Sequence, residues 1–569
     1  MADNGISIHE PPAMAVNLSR MQVWMPSPVH ALATRPDGKV VAVGREDGDI
    51  EFTVPSEGYR VEARIPGQKG KGLRSLLWLE GKGDGEPQDA ATEAARLFGC
   101  GLDGTVFEAD LDRLCYKNVR DVFGGSAWCM RAAPELALLA VGCEDGSIRL
   151  FSTDGGGIEY KRSFTSMGSR VLSLAWGPGN DTIFAGCADS MIHCVDAASG
   201  QGFFDMRLES GRKEEALVWA LEALSDGTVV SGDSYGRVQV WDGLTGTQLQ
   251  SLVTHEADVL CLCVTEGQTE LFASGCDGKV VSLERRQASV SATATDGDND
   301  ADMDDDASTG RRTRQEWEWT VGGMLREHTH DVQALAIHDQ SLGGTWRAGD
   351  GGAGAARKGP VLVSAGVDAS LSLYSVPGFQ TQGPRSVEPL PPVPVAFLAR
   401  APRLVLVMHK LHLDLWEIPR PGRSFAKDLG DAAEHGARLD DGEGEKSPEL
   451  RLRMEPKTEN GEHMACAALS ADGGMVAVSN AKETKVYRLA NASSQRTSAT
   501  AKRLRLPGAC SPPAHALAFT PDSGRLIVAA AAGDIRVVDI DVKGEAGVGG
   551  GEAGALFRGA RGWGKAWGR

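Results

Sequence analysis

Three pairs of residues in this chain stand at spacings that could hold a metal ion: Cys261-x-Cys263, His328-x-His330, and His409 with His412. A structural zinc site needs four Cys or His donors that converge tetrahedrally, and each pair stands alone. Cys261 and Cys263 fall in an apolar run where strand alternation puts both on one sheet face, so packing accounts for them. His328 and His330 immediately precede Val332, at the start of a strand-like run, where an imidazole commonly bonds neighbouring backbone or a carboxylate. His409 and His412 read as half-exposed strand positions with no Cys or carboxylate cluster nearby. No metal ligand is assigned.

Carboxylates recur in Asp-Gly pairs, which would suit acid or base work if two faced one another. Their regular recurrence points to hairpins instead: Asp bonds the backbone two residues on, and Gly accepts positive φ at little steric cost. Neither a phosphate-binding glycine loop, nor a helix-borne His-Glu-x-x-His, nor a Gly-x-Ser-x-Gly elbow occurs. The sequence therefore reads as a non-enzyme, with no catalytic, cofactor-binding or metal residue and partner-binding residues unassigned. Basic and aromatic side chains gather at Arg311, Arg312 and Arg314 with Trp317 and Trp319, and at Arg558, Arg561, Trp563, Lys565, Trp567 and Arg569. Such mixtures can attract phosphate and stack bases; a solvated loop and a frayed end are the simpler reading. In AKRLRL (501–506) charges alternate with Leu, as in an outer strand.

Positioning these residues falls to a repeat. The segment WCMRAA (128–133) is followed by a turn, LALLAVGC (136–143), the acidic turn EDG (144–146) and SIRLF (147–151), short apolar or alternating runs punctuated by Gly, Pro or Asp. The same grammar returns over residues 29–54, 73–111, 171–196, 218–242, 259–283 and 332–376. Equivalent turn positions Asp103, Asp145, Asp189, Tyr235 and Asp277 lie 42 to 46 residues apart, the period of a four-stranded propeller blade. Three further units follow at 395–418, 465–489 and 515–540. One blade cannot cover its own faces, so blades must stack. The expected fold is all-β: a seven-bladed WD-repeat β-propeller followed by a second, incomplete propeller of about three blades.

The expected domains are a flexible N-terminus (1–16), a first propeller (17–380) with acidic and Gly-rich loop insertions near 286–320 and 341–359, a Pro-rich linker (381–394), a partial second propeller (395–541) and a flexible Gly-rich tail (542–569). NLSRMQVW (17–24) is expected to close the first ring as an outer strand, and the final ALFRGARGWGKAWGR (555–569) lacks blade grammar.

Composition narrows the function classes. With 41% apolar and 24% charged residues among 569, the chain has an ordinary globular balance, and its 71 glycines fit many tight turns. A net charge of −18 argues against coating nucleic acid by bulk electrostatics. No run approaches the length of a membrane span, and residues 1–5 resemble no secretory leader, so a soluble intracellular protein with reduced cysteines is expected.

Beyond the generic repeat, FGGSAWCM (123–130) followed by LLAVGCEDGSIRLF (138–151) resembles the cirhin-like WD-repeat family of small nucleolar RNA-associated proteins. SRVLSLAWGP (169–178), VWALEALSDGTVVSGDSYGRVQVWDGLTG (218–246) and HTHDVQALA (328–336) resemble that family in the same order. The resemblance implies a nucleolar, non-catalytic scaffold of the small-subunit processome, acting in pre-ribosomal RNA processing within an early-binding subcomplex. It implies other processome subunits as partners, pre-ribosomal RNA contacted directly or through them, and no membrane, cofactor or small-molecule substrate. Family members look as if they complete a second ring, whereas three units of it are expected in the sequence at hand. The competing role is a substrate receptor of a ubiquitin ligase or another protein-interaction scaffold. Such receptors often carry Trp-Asp-x-Arg, whereas Trp241-Asp242 is followed here by Gly243-Leu244.

Overall fold

The computed structural model describes residues 26–80, 95–209, 215–287, 317–339, 359–418, 448–491, 499–504, 506, 511–540 and 555–558. They form ten four-stranded antiparallel sheets, each built from four strands consecutive in the chain and bonded in chain order, with no α-helix among the described residues. The third sheet shows why. Its second strand, Leu138–Cys143, is buried along its whole length and its outer strand, Glu159–Ser163, is largely exposed, so the apolar run takes the covered position and the charged one faces water.

The acidic turns hold the hairpins. Asp145 Oδ1 accepts the Ser147 N–H at 2.9 Å, and Asp47, Asp103, Asp189, Asp277 and Asp368 likewise accept the N–H two residues on. In the fifth sheet Tyr235 replaces the aspartate; there Asp233, two residues earlier, accepts from Tyr235 and Arg237. The next residue is left-handed in each case, glycine in five sheets but Ser190 (φ +68°) and Ala369 (φ +62°) in the other two.

The chain divides into two compact units at Pro392/Val393. In the first, seven sheets pack in chain order, each inner strand beside the next. Apolar clusters fill every seam: Phe52 with Phe107, Phe98 with Phe151, Leu150 with Ile183, Phe184 with Trp241, Val240 with Leu262, and Phe272 with Tyr374. The circuit returns on itself, because Val29 and Val43 of the first sheet pack with Val363 and Leu373 of the seventh, and the Tyr59 hydroxyl bonds the His338 ring. Close approach at the seams needs glycine at the end of the second strand. A Cβ on Gly186 would stand 2.5 Å from Val218 Cγ1 of the following sheet.

The seventh sheet differs from expectation. Residues 17–24 lie outside the described residues, and the outer position they were expected to fill is taken by Arg385–Val387, paired with Leu371–Ser375. That strand comes from the stretch expected to be linker (381–394). Three residues suffice because an outer edge needs only a few backbone bonds. The expected 286–320 insertion is also shorter at both ends: Lys279–Gln287 and Trp317–Arg326 pair as far as Gln287–Trp317. Most of that loop, with its acidic run 296–306, and most of 341–359 lie outside the described residues. Deleting residues 296–306 is expected to leave the melting temperature unchanged, since so acidic a run buries no apolar area. A scanning-calorimetry comparison with the intact chain checks this.

The second unit holds three sheets. Core clusters join the eighth to the ninth and the ninth to the tenth, and among the described residues none joins the tenth to the eighth. Ile527 and Ile535 on the tenth sheet and Leu398 on the eighth are exposed. Thr500–Leu504 is an outer strand, paired with Thr484–Ala490. The expected flexible tail needs correction: Ala555–Arg558 pairs with Asp534–Asp539 as the tenth sheet's fourth strand, an open edge recruiting a short segment that lacks any repeat signature.

Candidate functional site

Every inner strand of the first unit carries a β-bulge at its second residue. In the first, Val29 and Ala31 pair with Arg45 and Gly44, and His30 is skipped; Arg74, Trp128 and Leu172 are skipped in the next three. Trp219, Leu260 and Gln333 complete the set. A bulge re-aims one side chain out of the alternation, and these seven side chains converge as a collar around a central cavity of about 150 Å³. Seven equivalent backbone positions thus present seven chemically different side chains to one space.

Two indoles dominate one side. The Trp128 and Trp219 ring centroids are 6.4 Å apart at an interplanar angle of 52°. The Trp128 N–H donates to Glu144, which is also paired with Arg170 at 3.3 Å; the Trp219 N–H donates to Asp258 at 2.8 Å. The Arg74 and Arg170 guanidinium groups lie 5.7 and 5.8 Å from the Trp128 ring centre, within cation–π range. Arg74 donates to Gln333 Oε1 at 3.1 Å and has no carboxylate partner among the described residues. Burial lowers its basicity and, with Arg74 beside it, brings His30 down to about 4. Arg131 of the third sheet reaches past the fourth to Glu222 of the fifth at 2.8 Å; burial raises the Glu222 carboxyl.

This collar was not foreseen. The residues singled out from sequence go elsewhere or play structural parts. Cys261 lines the cavity wall next to Leu260, and burial pushes the Cys263 thiol up to about 12. Neither joins a group of three possible metal ligands among the described residues. His328 is buried, with Nδ1 2.9 Å from Asp368 and Nε2 2.6 Å from Ser364 Oγ, tying the turn to the sheet; His330 is exposed. Trp319 is a core residue of the fifth–sixth seam whose backbone N–H donates to Gln250, whereas Trp317 is half exposed beneath Arg285. Residues 311–314 and 559–569 lie outside the described residues.

His409 and His412 flank the hairpin turn rather than occupying a strand. Their rings stack at 4.1 Å, and His409 Nε2 lies 3.3 Å from Asp414 Oδ2. Asp414 is the carboxylate that spacing alone overlooked. Arg453 grips it at 2.8 and 2.9 Å, and these bonds hold its carboxyl below the usual range despite burial. A cation there would meet a guanidinium. Cys187, Asp189 and His193 also meet, but His193 is already held by Asp205 at 2.7 Å.

One residue in the loop before the third sheet is strained. Phe123 has φ +53° and is 80% exposed, its N–H donating to Asp121. A bulky residue in left-handed backbone costs about 1–2 kcal/mol, and this ring has little buried area to lose. Phe123→Gly is expected to raise stability by up to about 1 kcal/mol, after the extra freedom glycine gives the unfolded chain; urea denaturation measures it.

A family model described as the anaphase-promoting complex subunit 4 WD40 domain matches residues 126–222. Across 531 residues the chain is 29% identical to the U3 small nucleolar RNA-associated protein 4 homolog of Mus musculus, covering 91% of this chain and 66% of that protein. The Schizosaccharomyces pombe U3 small nucleolar RNA-associated protein 4 is 27% identical over 542 residues, 93% of this chain and 64% of that protein. The Homo sapiens homolog is 27% identical, with 91% and 66% covered. The chain thus spans about two thirds of the length of the curated relatives it matches.

Proposed function

We propose that the chain is a non-catalytic WD-repeat scaffold of the small-subunit processome, acting in pre-ribosomal RNA processing and small-subunit biogenesis in the nucleolus. The carrying observation is similarity that runs through both units, over 91–93% of the chain, to proteins named for association with U3 small nucleolar RNA. In this reading the first unit is a seven-bladed propeller, closed on itself and rigid, and the second an incomplete propeller of three blades. Flat sheet stacks with many loops suit simultaneous contact with several partners. The partners are other processome subunits, with pre-ribosomal RNA contacted directly or through them, and neither cofactor nor small-molecule substrate takes part.

The ubiquitin-ligase reading gains nothing from Trp241-Asp242. Trp241 is buried in the seam between the fourth and fifth sheets, and Asp242 accepts the Leu244 N–H within its own turn. Both serve the fold. The test is capture of the tagged full-length chain from its own cells, identifying protein and RNA together. The expected recovery is U3 small nucleolar RNA with processome subunits, and depletion should cause unprocessed pre-ribosomal RNA to accumulate. Recovery of ubiquitin-ligase adaptors without either would overturn the assignment.

A further inference from the structure

We propose that the collar of the first unit is a binding site for an oxyanion carried on a protein segment, an acidic or phosphorylated side chain that enters the central cavity and pairs with Arg74. This stands apart from the assembly in which the chain works.

The argument starts from charge. A guanidinium removed from water is stable only when paired and bonded. Arg131, on the strand beside it, is paired with Glu222, and Arg170 with Glu144, although both guanidinium groups are still nearly half exposed. Arg74 alone faces the cavity with a neutral amide and an indole face as its partners, while burial already works against its charge. The bulge is what puts it there, since the strand's alternation would have sent the side chain into a seam. His30, next to it, is held neutral, and its buried Nδ1 has no hydrogen-bond partner. Arg74 and His30 together therefore offer unanswered hydrogen-bonding groups in one cavity.

The size and lining select the ligand. About 150 Å³ admits a carboxylate or phosphate on a short side chain, but not a nucleotide unit. The two indoles are too close and too inclined for a base to slide between them, although base stacking is what a single-stranded nucleic acid would require of them. Asp258 and Glu144 stand behind the indoles, and the chain carries −18 overall. Both repel a polyanion and favour one acidic group flanked by basic residues. Arg presents a planar fork that matches either oxyanion.

Calorimetry and tryptophan fluorescence of the full-length protein, titrated with acetyl-Lys-Ala-Glu-Ala-Lys-amide, test the proposal. Its glutamine and phosphoserine counterparts and a ten-nucleotide oligouridylate serve as the other arms. The glutamate or the phosphoserine peptide should bind saturably and at least ten-fold more tightly than the glutamine peptide; whichever binds better identifies the oxyanion. Arg74→Gln should abolish that difference, Arg74→Lys should keep part of it, and Trp128→Phe should reduce the fluorescence response while calorimetry still detects binding. Because Arg74 has no charge partner to lose, Arg74→Gln should leave the melting temperature unchanged or raised. Equal or absent binding of charged and neutral peptides, Arg74-dependent binding of the oligouridylate alone, or a fall of several degrees in the Arg74→Gln melting temperature would each overturn it.

Discussion

Gly146→Val is expected to destabilise the first unit by about 2–4 kcal/mol, with no accompanying change in any chemistry. Two independent costs add. Gly146 has φ +81°, and a β-branched residue held in left-handed backbone costs on the order of 1–3 kcal/mol. A Cβ there would also stand 2.6 Å from the Ser169 carbonyl oxygen and 2.8 Å from Ser166 Oγ, in a segment whose Met167 N–H donates to the Gly146 carbonyl. The turn cannot relax away from the clash without breaking that bond. Chemical denaturation of the variant should show a lowered midpoint, and an unchanged one would remove the turn assignment.

Trp241→Ala is expected to cost more, about 3–5 kcal/mol, the range for emptying a buried aromatic site. The ring is 2% exposed and packs between the fourth and fifth sheets among Phe184, Met206, Val218 and Val229. Its N–H donates to Ser231 Oγ at 2.9 Å, and Ser231 is wholly buried. Truncation therefore leaves a cavity at a seam together with a hydroxyl that has lost its donor. Trp241→Phe should fall well below Trp241→Ala, since most of the volume is kept. Equal destabilisation by the two would mean that the hydrogen bond, and not the packing, holds the seam.

The repeat was legible because it rests on local chemistry. Asp followed by Gly writes a turn into the sequence, and four of the seven equivalent turns are written that way, a fifth being Tyr235-Gly236. Ser190 and Ala369 adopt the same backbone without glycine, so composition alone understates how regular the turns are. The bulges were illegible for a different reason. A bulge is a property of register, in which two residues face one across a strand pair, and nothing in Leu73-Arg74-Ser75 states which residue is skipped. The collar could therefore be seen only once partners were assigned. His409 and His412 were visible as a spacing and Asp414, two residues after His412, was passed over; it is the hairpin turn that brings it to His409 as well. The Arg385–Val387 and Ala555–Arg558 strands escaped notice because three or four residues carry no period. Trp319 was read as part of a solvated loop, with base stacking as the alternative, and it is a core residue instead, since the hairpin that buries it spans a long insertion.

The seam between the first and seventh sheets joins the parts of the first unit most distant in sequence, and it is made by side chains, with the Tyr59–His338 bond across it. During synthesis Val29, Val41 and Val43 leave the ribosome early, while Val363 and Leu373 follow some three hundred residues later. At roughly 5–20 residues per second the interval is on the order of tens of seconds, during which one face of a finished sheet has nothing to lie against. The nascent chain therefore carries an apolar surface that a chaperone or a neighbouring nascent chain can reach, and every molecule passes through that exposed interval before the circuit can shut.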